Sequence, residues 1–166
     1  MTTKKIIRSQ YLATLEMLNQ AIIQCPDNMW ADENFDNQFW QIAYHALFYT
    51  HLYLQSTEED FTPWKMHYEN AHRFSAPEPA LTGEGDSEGF YQKEEMLEFL
   101  DFCRQEIGEK VAELDLEAAS GFDWIPFNKQ ELQFYNIRHL QHHTGELCKR
   151  LGTIAGVDIK WVGMTD

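Results

Sequence analysis

The stretch Phe134–Leu151, FYNIRHLQHHTGELCKRL, spaces its inward residues for a helix and leaves few folds open to the chain. Leu132, Asn136, His139, Leu140, His143, Leu147, Leu151 and Ile154 recur at the i, i+3, i+4, i+7 intervals of an amphipathic helix. At about 100° per residue, Leu132, His143 and Leu147 all fall within roughly 80° of His139 on the helix circumference. Two histidines four residues apart therefore project from the inward stripe, one turn above the other. Adjacent imidazoles in an apolar seam cost free energy unless their nitrogens find partners. A metal ion satisfies them well, and a buried polar network is the other solution.

The rest of the chain reads as helices that could surround this one. Thr2 or Thr3 is placed to cap a first helix that Pro26 closes, and Ile7, Tyr11, Leu15, Leu18 and Ile22 form its apolar face. Residues 26–37, PDNMWADENFDN, read as a polar connection carrying Trp30 and Phe35. A second helix is expected from about Gln38 to Gln55, QFWQIAYHALFYTHLYLQ, apolar almost all round, as suits an element enclosed by others. A third is expected over about Tyr91–Ala118, with Leu97, Leu100, Ile107, Val111 and Leu114 in register. Gly121–Gln130, with Trp124 and Phe127, then leads to the fourth, and VDIKWVGMTD ends the chain as a short extended piece. No run of strand-like alternation competes. The expected architecture is an all-α four-helix bundle, with residues 1–166 as one domain; such bundles build metal sites from side chains on facing helices.

Between the second and third helices lies a long irregular excursion, Ser56–Gly89, punctuated by Pro63, Pro77, Pro79, Gly83, Gly85 and Gly89. Loops of this length in a small domain tend to be lids or insertions. Its GEGDSEG run resembles no phosphate cradle, since the glycines follow no strand and the charge has the wrong sign.

Charge excludes one class of partner. The chain has 13 basic against 27 acidic residues and a net charge of −14, with no basic cluster to neutralise phosphates, so nucleic acid and anionic membrane are not expected partners. Three widely spaced cysteines, Cys25, Cys103 and Cys148, suit free thiols in a reducing compartment better than a disulfide framework. With no signal-peptide pattern and no membrane-length apolar run, a cytoplasmic location is the expectation.

Of seven histidines, His45, His139 and His143 lie where a bundle interior would gather them. His142 sits at the edge of the fourth-helix stripe, and His51 is about 120° round the helix from His45, too far to share an ion with it. His67 and His72 belong to the excursion and would reach the site only as part of a lid. Three imidazoles with an open fourth position form the ligand set of hydrolytic and Lewis-acid zinc sites. Cys148 points away from His139, and Glu146 stands where it would orient His143 or act as a base. No nucleophile–base–acid triad or HExxH motif is present.

At FWQIAYHALFYTHLYL and, more specifically, YNIRHLQHHTGEL, the chain resembles the DinB-like proteins, four-helix bundles grouped with the YfiT-type metal-dependent enzymes. The resemblance implies metal ligands at His45 in the second helix and at His139 and His143 in the last, the trio that periodicity also selects. It implies a divalent ion, zinc or nickel, and a thiol S-transferase activity that joins a low-molecular-weight thiol to a small electrophile. A homodimer is a further expectation, separate from the resemblance. No catalytic side chain or thiol-cofactor site is matched. The rival from another class is a non-catalytic helical module whose histidines form a structural site.

Overall fold

The computed structural model describes residues 2–74 and 90–165. Among these residues five helices form: α1 (Thr3–Gln24), α2 (Asp27–Trp30), α3 (Phe39–Tyr53), α4 (Lys93–Glu113) and α5 (Lys129–Ile154). Among the described residues no strand forms, only one isolated antiparallel bridge between Ala119 and Asn128. The fold is all-α. The four long helices touch in a ring, α3 on α5, α5 on α1, α1 on α4 and α4 on α3, so α1 and α3 stand on opposite sides. No helix among the described residues is long and apolar enough to cross a membrane.

Each helix begins and ends for a local chemical reason. The Thr2 hydroxyl accepts from the Lys5 amide at the start of α1, and the helix stops just before Pro26, which has no amide hydrogen to continue it. Its expected face is fully buried, with Ile7, Tyr11, Leu15, Leu18 and Ile22 all at 0 % exposure. At the start of α3 the Gln38 amide donates to Gln41 Oε1 at 2.7 Å. The Asn128 side chain caps α5 by accepting from the Glu131 amide at 2.9 Å. Gly156, at φ +68°, ends α5 in a left-handed turn that favours glycine.

Three boundaries differ from the expectation. Residues 27–30, read as part of a polar connection, wind into α2, which buries Met29 and Trp30 and lets the Trp30 indole donate to the Tyr91 carbonyl at 2.7 Å. Helix α4 ends at Glu113 rather than near Ala118, because Asp115 Oδ1 takes the Glu117 amide at 3.1 Å and draws the backbone into a turn. Its buried register is Met96, Phe99, Leu100, Cys103, Ile107 and Val111, and Leu97 is only half-buried. Helix α5 starts earlier, at Lys129, and Ile154 at its far end is exposed although it keeps the inward spacing.

Helix α3 is the enclosed element that the sequence suggested. Twelve of its 15 residues are buried, and the exceptions, Gln41, His45 and Tyr49, are each one turn apart. One stripe of α3 is therefore left unsealed, and it carries a histidine.

The first part of the excursion is a packed segment. The Trp64 ring stacks on Phe99 of α4 at 4.6 Å and is 4 % exposed. Tyr91 ties it down further, its hydroxyl donating to the Met66 carbonyl at 2.6 Å while accepting the Tyr68 amide at 3.1 Å. Residues 75–89, with Pro77, Pro79 and the GEGDSEG run, lie outside the described residues.

A buried lysine locks the far end of the ring. Lys129, 3 % exposed, directs its ammonium at the carbonyls of Gln55 (2.9 Å), Ser56 (3.0 Å) and Ser120, joining the start of α5 to the end of α3 and to the 115–128 loop. Gly121 lets that loop approach, since a Cβ there would lie 2.0 Å from the Ser56 carbonyl oxygen. Lys129→Met keeps the aliphatic length and leaves three carbonyls without their donor, so a loss of roughly 2–4 kcal/mol is expected in urea unfolding. An unchanged midpoint would mean that the carbonyls do not depend on the ammonium.

Candidate metal centre

The unsealed stripe of α3 faces the inward stripe of α5, and three imidazoles meet there. His45 Nε2 and His139 Nε2 are 3.1 Å apart. One ligand atom from each of His45, His139 and His143 falls within 4.8 Å of the others. The ring centroids make a nearly even triangle, 5.0 Å for His45–His139, 4.6 Å for His45–His143 and 4.7 Å for His139–His143.

Hydrogen bonds decide which nitrogens carry lone pairs inward. His45 Nδ1 lies 2.7 Å from the His72 carbonyl oxygen, which can only accept, so Nδ1 holds the hydrogen and Nε2 is bare. His143 Nδ1 lies 3.3 Å from Glu146 Oε2, which likewise takes a hydrogen and leaves Nε2 free. Glu146 is placed in turn by Arg150, whose Nη2 is 3.7 Å from its other oxygen. Metal-ligating histidines commonly have this outer partner on the second nitrogen. His139 Nδ1 is buried and has no partner.

Burial keeps the three rings neutral. It lowers His45 to about 4 and His139 to about 3, and lowers His143 below its ordinary value despite the opposing pull of Glu146. Neutral imidazoles are the form that ligates. A tetrahedral ion with metal–nitrogen bonds near 2.05 Å holds its nitrogens about 3.3 Å apart. The 3.1 Å between His45 and His139 is already close to that, so the donor set fits a divalent ion.

The walls are aromatic. Phe74 stacks on His45 at 4.1 Å and meets His143 edge-on at 5.5 Å. Tyr49 stands edge-on to His139 at 5.3 Å. Among the described residues no fourth His, Cys, Asp or Glu lies within 4.8 Å of all three histidines. His67 and His72 do not lend their rings: His67 Nδ1 is 2.6 Å from the Tyr44 hydroxyl, and His72 stacks on Phe48 at 4.1 Å. His72 contributes its carbonyl instead.

The outlying candidates sort plainly. His142 is exposed and belongs to a second grouping with His143 and Glu146, which shares His143 with the trio. Cys148 is in neither grouping, and Cys25 and Cys103 are buried core thiols. His51 turns to α4, with its Nε2 3.6 Å from Glu106. Three features of the site have no place in a periodicity argument based on histidines: the His72 carbonyl, Phe74 and Tyr49. Only Tyr49 has a signal in spacing, one turn beyond His45.

The neutral trio couples stability to pH. Each folded value lies below the ordinary 6.5, so the unfolded chain takes up protons that the folded one refuses. The contribution is complete above about pH 6.5 and is lost as pH falls towards 4. Nitrogen-detected imidazole spectra of chelator-treated protein at about pH 5.5 should show His45 and His139 neutral, with His45 carrying its hydrogen on Nδ1. Titration midpoints above 6 for both would contradict this electrostatic account.

Comparison with protein-family models, with curated proteins and with solved structures finds no match for this chain.

Proposed function

We propose that the protein is a divalent-metal-dependent enzyme of the DinB-like kind, with His45, His139 and His143 as the ligands and thiol transfer to a small electrophile as the reaction class. One observation carries this reading: two imidazole Nε2 atoms face each other at 3.1 Å, with a third imidazole beside them and two of the outer nitrogens committed to oxygen acceptors. His45 and His143 both aim lone pairs inward, and the one hydrogen that His139 carries can satisfy only one of them, which leaves a lone pair for a metal ion. When bound, the ion would lower the pKa of a coordinated thiol or water and supply a nucleophile at neutral pH.

The chain's own residues do the remaining work. The His72 carbonyl and Glu146 hold two rings in the ligating tautomer. Phe74 and Tyr49 give the opening apolar sides, which favour a small hydrophobic electrophile and weaken competition from bulk water. The absence of a fourth protein ligand among the described residues leaves room for a substrate atom. The likeness of FWQIAYHALFYTHLYL and YNIRHLQHHTGEL to the DinB-like pattern supplies zinc or nickel as the ion and a low-molecular-weight thiol as the co-substrate.

Metal content separates this reading from that of a non-catalytic module. His143→Ala should lose most bound metal in untagged protein measured by mass spectrometry, whereas His142→Ala should keep most of it. Glu146→Gln should weaken affinity by roughly 10–100-fold. Equal loss from the His142 and His143 variants would overturn the ligand assignment. In cobalt-substituted protein, a small thiol should add a thiolate-to-metal charge-transfer band in the near ultraviolet. An unchanged spectrum with cobalt present would favour the structural module.

A further inference from the structure

The opposite side of α3 holds a second set of polar groups that the proposed metal chemistry does not use. A cavity of about 600 Å³ opens between the last turn of α3, the middle of α4 and the 60–65 segment. None of His45, His139 and His143 lines it. Its volume suits a small organic ligand. Trp64, held rigid by its stack on Phe99, and Phe102 give it aromatic walls.

The demand of its floor is specific. The Glu106 side chain is 17 % exposed, and among the described residues its Oε2 meets only the Gln55 amide at 3.2 Å and His51 Nε2 at 3.6 Å. The first partner is a neutral amide. The second is an imidazole that burial lowers to about 4, so it is neutral as well. A largely enclosed carboxylate with no cationic partner is costly. The nearby ammoniums do not answer it, since Lys65 is paired with Glu98, and Lys110 lines the cavity without forming an ion pair with Glu106.

His51 lines the cavity beside the carboxylate, with its side chain 4 % exposed and its Nε2 turned to Glu106. Its Nδ1 is buried out of reach of the cavity. The demand of the floor is therefore that of the carboxylate, which the neutral Gln55 amide answers only in part. Asp60 and Asp101 add negative charge to the lining, and the net charge of −14 raises the local concentration of any cation. What fits is a positively charged donor with an apolar body.

We propose that this cavity binds a small organic ammonium, its –NH₃⁺ received by the Glu106 carboxylate beside His51 and its apolar portion lying between Trp64 and Phe102. Charge-assisted hydrogen bonds supply the affinity and the aromatic rings add cation–π and packing contacts. The site is separate from the trio and does not depend on the metal reading.

Phenethylammonium, titrated calorimetrically and by NMR against wild-type protein, tests the proposal, with 2-phenylethanol as its uncharged counterpart. The amine should bind in the millimolar range or tighter and shift the His51 and Phe102 resonances, and the alcohol should bind at least about tenfold more weakly. Glu106→Gln should lose about tenfold or more in amine affinity. Glu109→Gln, an exposed change on the same helix, should stay within about twofold, which separates the site from general attraction to an acidic surface. His139→Ala should leave amine binding unchanged, which separates it from coordination at the trio. No binding at roughly 10 mM, equal affinity for the alcohol, or loss in the His139 variant would overturn the proposal. Should Glu106→Gln fail to fold, the amine–alcohol comparison and the shifted resonances decide on wild-type protein alone.

Discussion

The constraint on which the structure depends is that α3 must be buried on nearly every side. A helix reading FWQIAYHALFYTHLY has no face that can be turned to water over its length. It is enclosed by α5 on one flank, by α4 on another and by the aromatic segment 61–74 across the remainder. Each fully buried large side chain in it contributes about 1.5–3 kcal/mol of transfer free energy, so any arrangement that left a second stripe open would lose several such contributions. Only the line Gln41–His45–Tyr49 escapes, and the candidate metal centre forms where that line meets α5.

Enclosure also sets the chemistry. Imidazoles in such surroundings cannot hold a proton cheaply, and so they present lone pairs. What distinguishes His45 from an ordinary buried histidine is the His72 carbonyl, a backbone atom delivered by a packed loop. That loop is held by Trp64 on Phe99 and by Tyr91 on Met66 and Tyr68. The tautomer of one candidate ligand therefore rests on aromatic packing against α4. A change at Trp64 would be felt at His45 through the position of residue 72, without touching the site.

Much of this was legible in the residues, and what was not has physical reasons. The all-α class, the buried face of α1 and the enclosure of α3 follow from periodicity, which reports burial directly. The gathering of His45, His139 and His143 follows from it too, once α3 and α5 are neighbours. Helix α2 has four residues, too few for any period to show. The early end of α4 turns on Asp115, whose side chain competes for a backbone amide where Leu114 and Leu116 continue the apolar pattern. Ile154 keeps the inward spacing and is still exposed, since inward spacing buries a residue only where a partner faces it. Phe61, Trp64, Tyr68 and Phe74 within one proline-marked loop were a usable signal of packing, because four aromatics are seldom left in water. The His72 carbonyl has no signature, as every residue carries one.

His45 and His51 show how the same residue on the same helix comes to face different chemistry. Burial presses both to about 4, so neither is distinguished by charge. His45 stands among other imidazoles, and His51 stands beside a carboxylate that has no ion pair to a lysine or arginine among the described residues. Convergence separates them. Around His45, three nitrogens come within 4.8 Å of one another, a space that suits a bare ion and excludes an organic one. Around His51, the Glu106 carboxylate sits at the floor of a cavity of about 600 Å³ whose walls are aromatic, where a bare ion would meet too few ligands to leave water behind. A cation with its own hydrogen-bond donors and an apolar body meets the whole of that surface. The 120° between the two positions on α3 keeps the two demands from merging, because it sends one histidine to α5 and the other to α4.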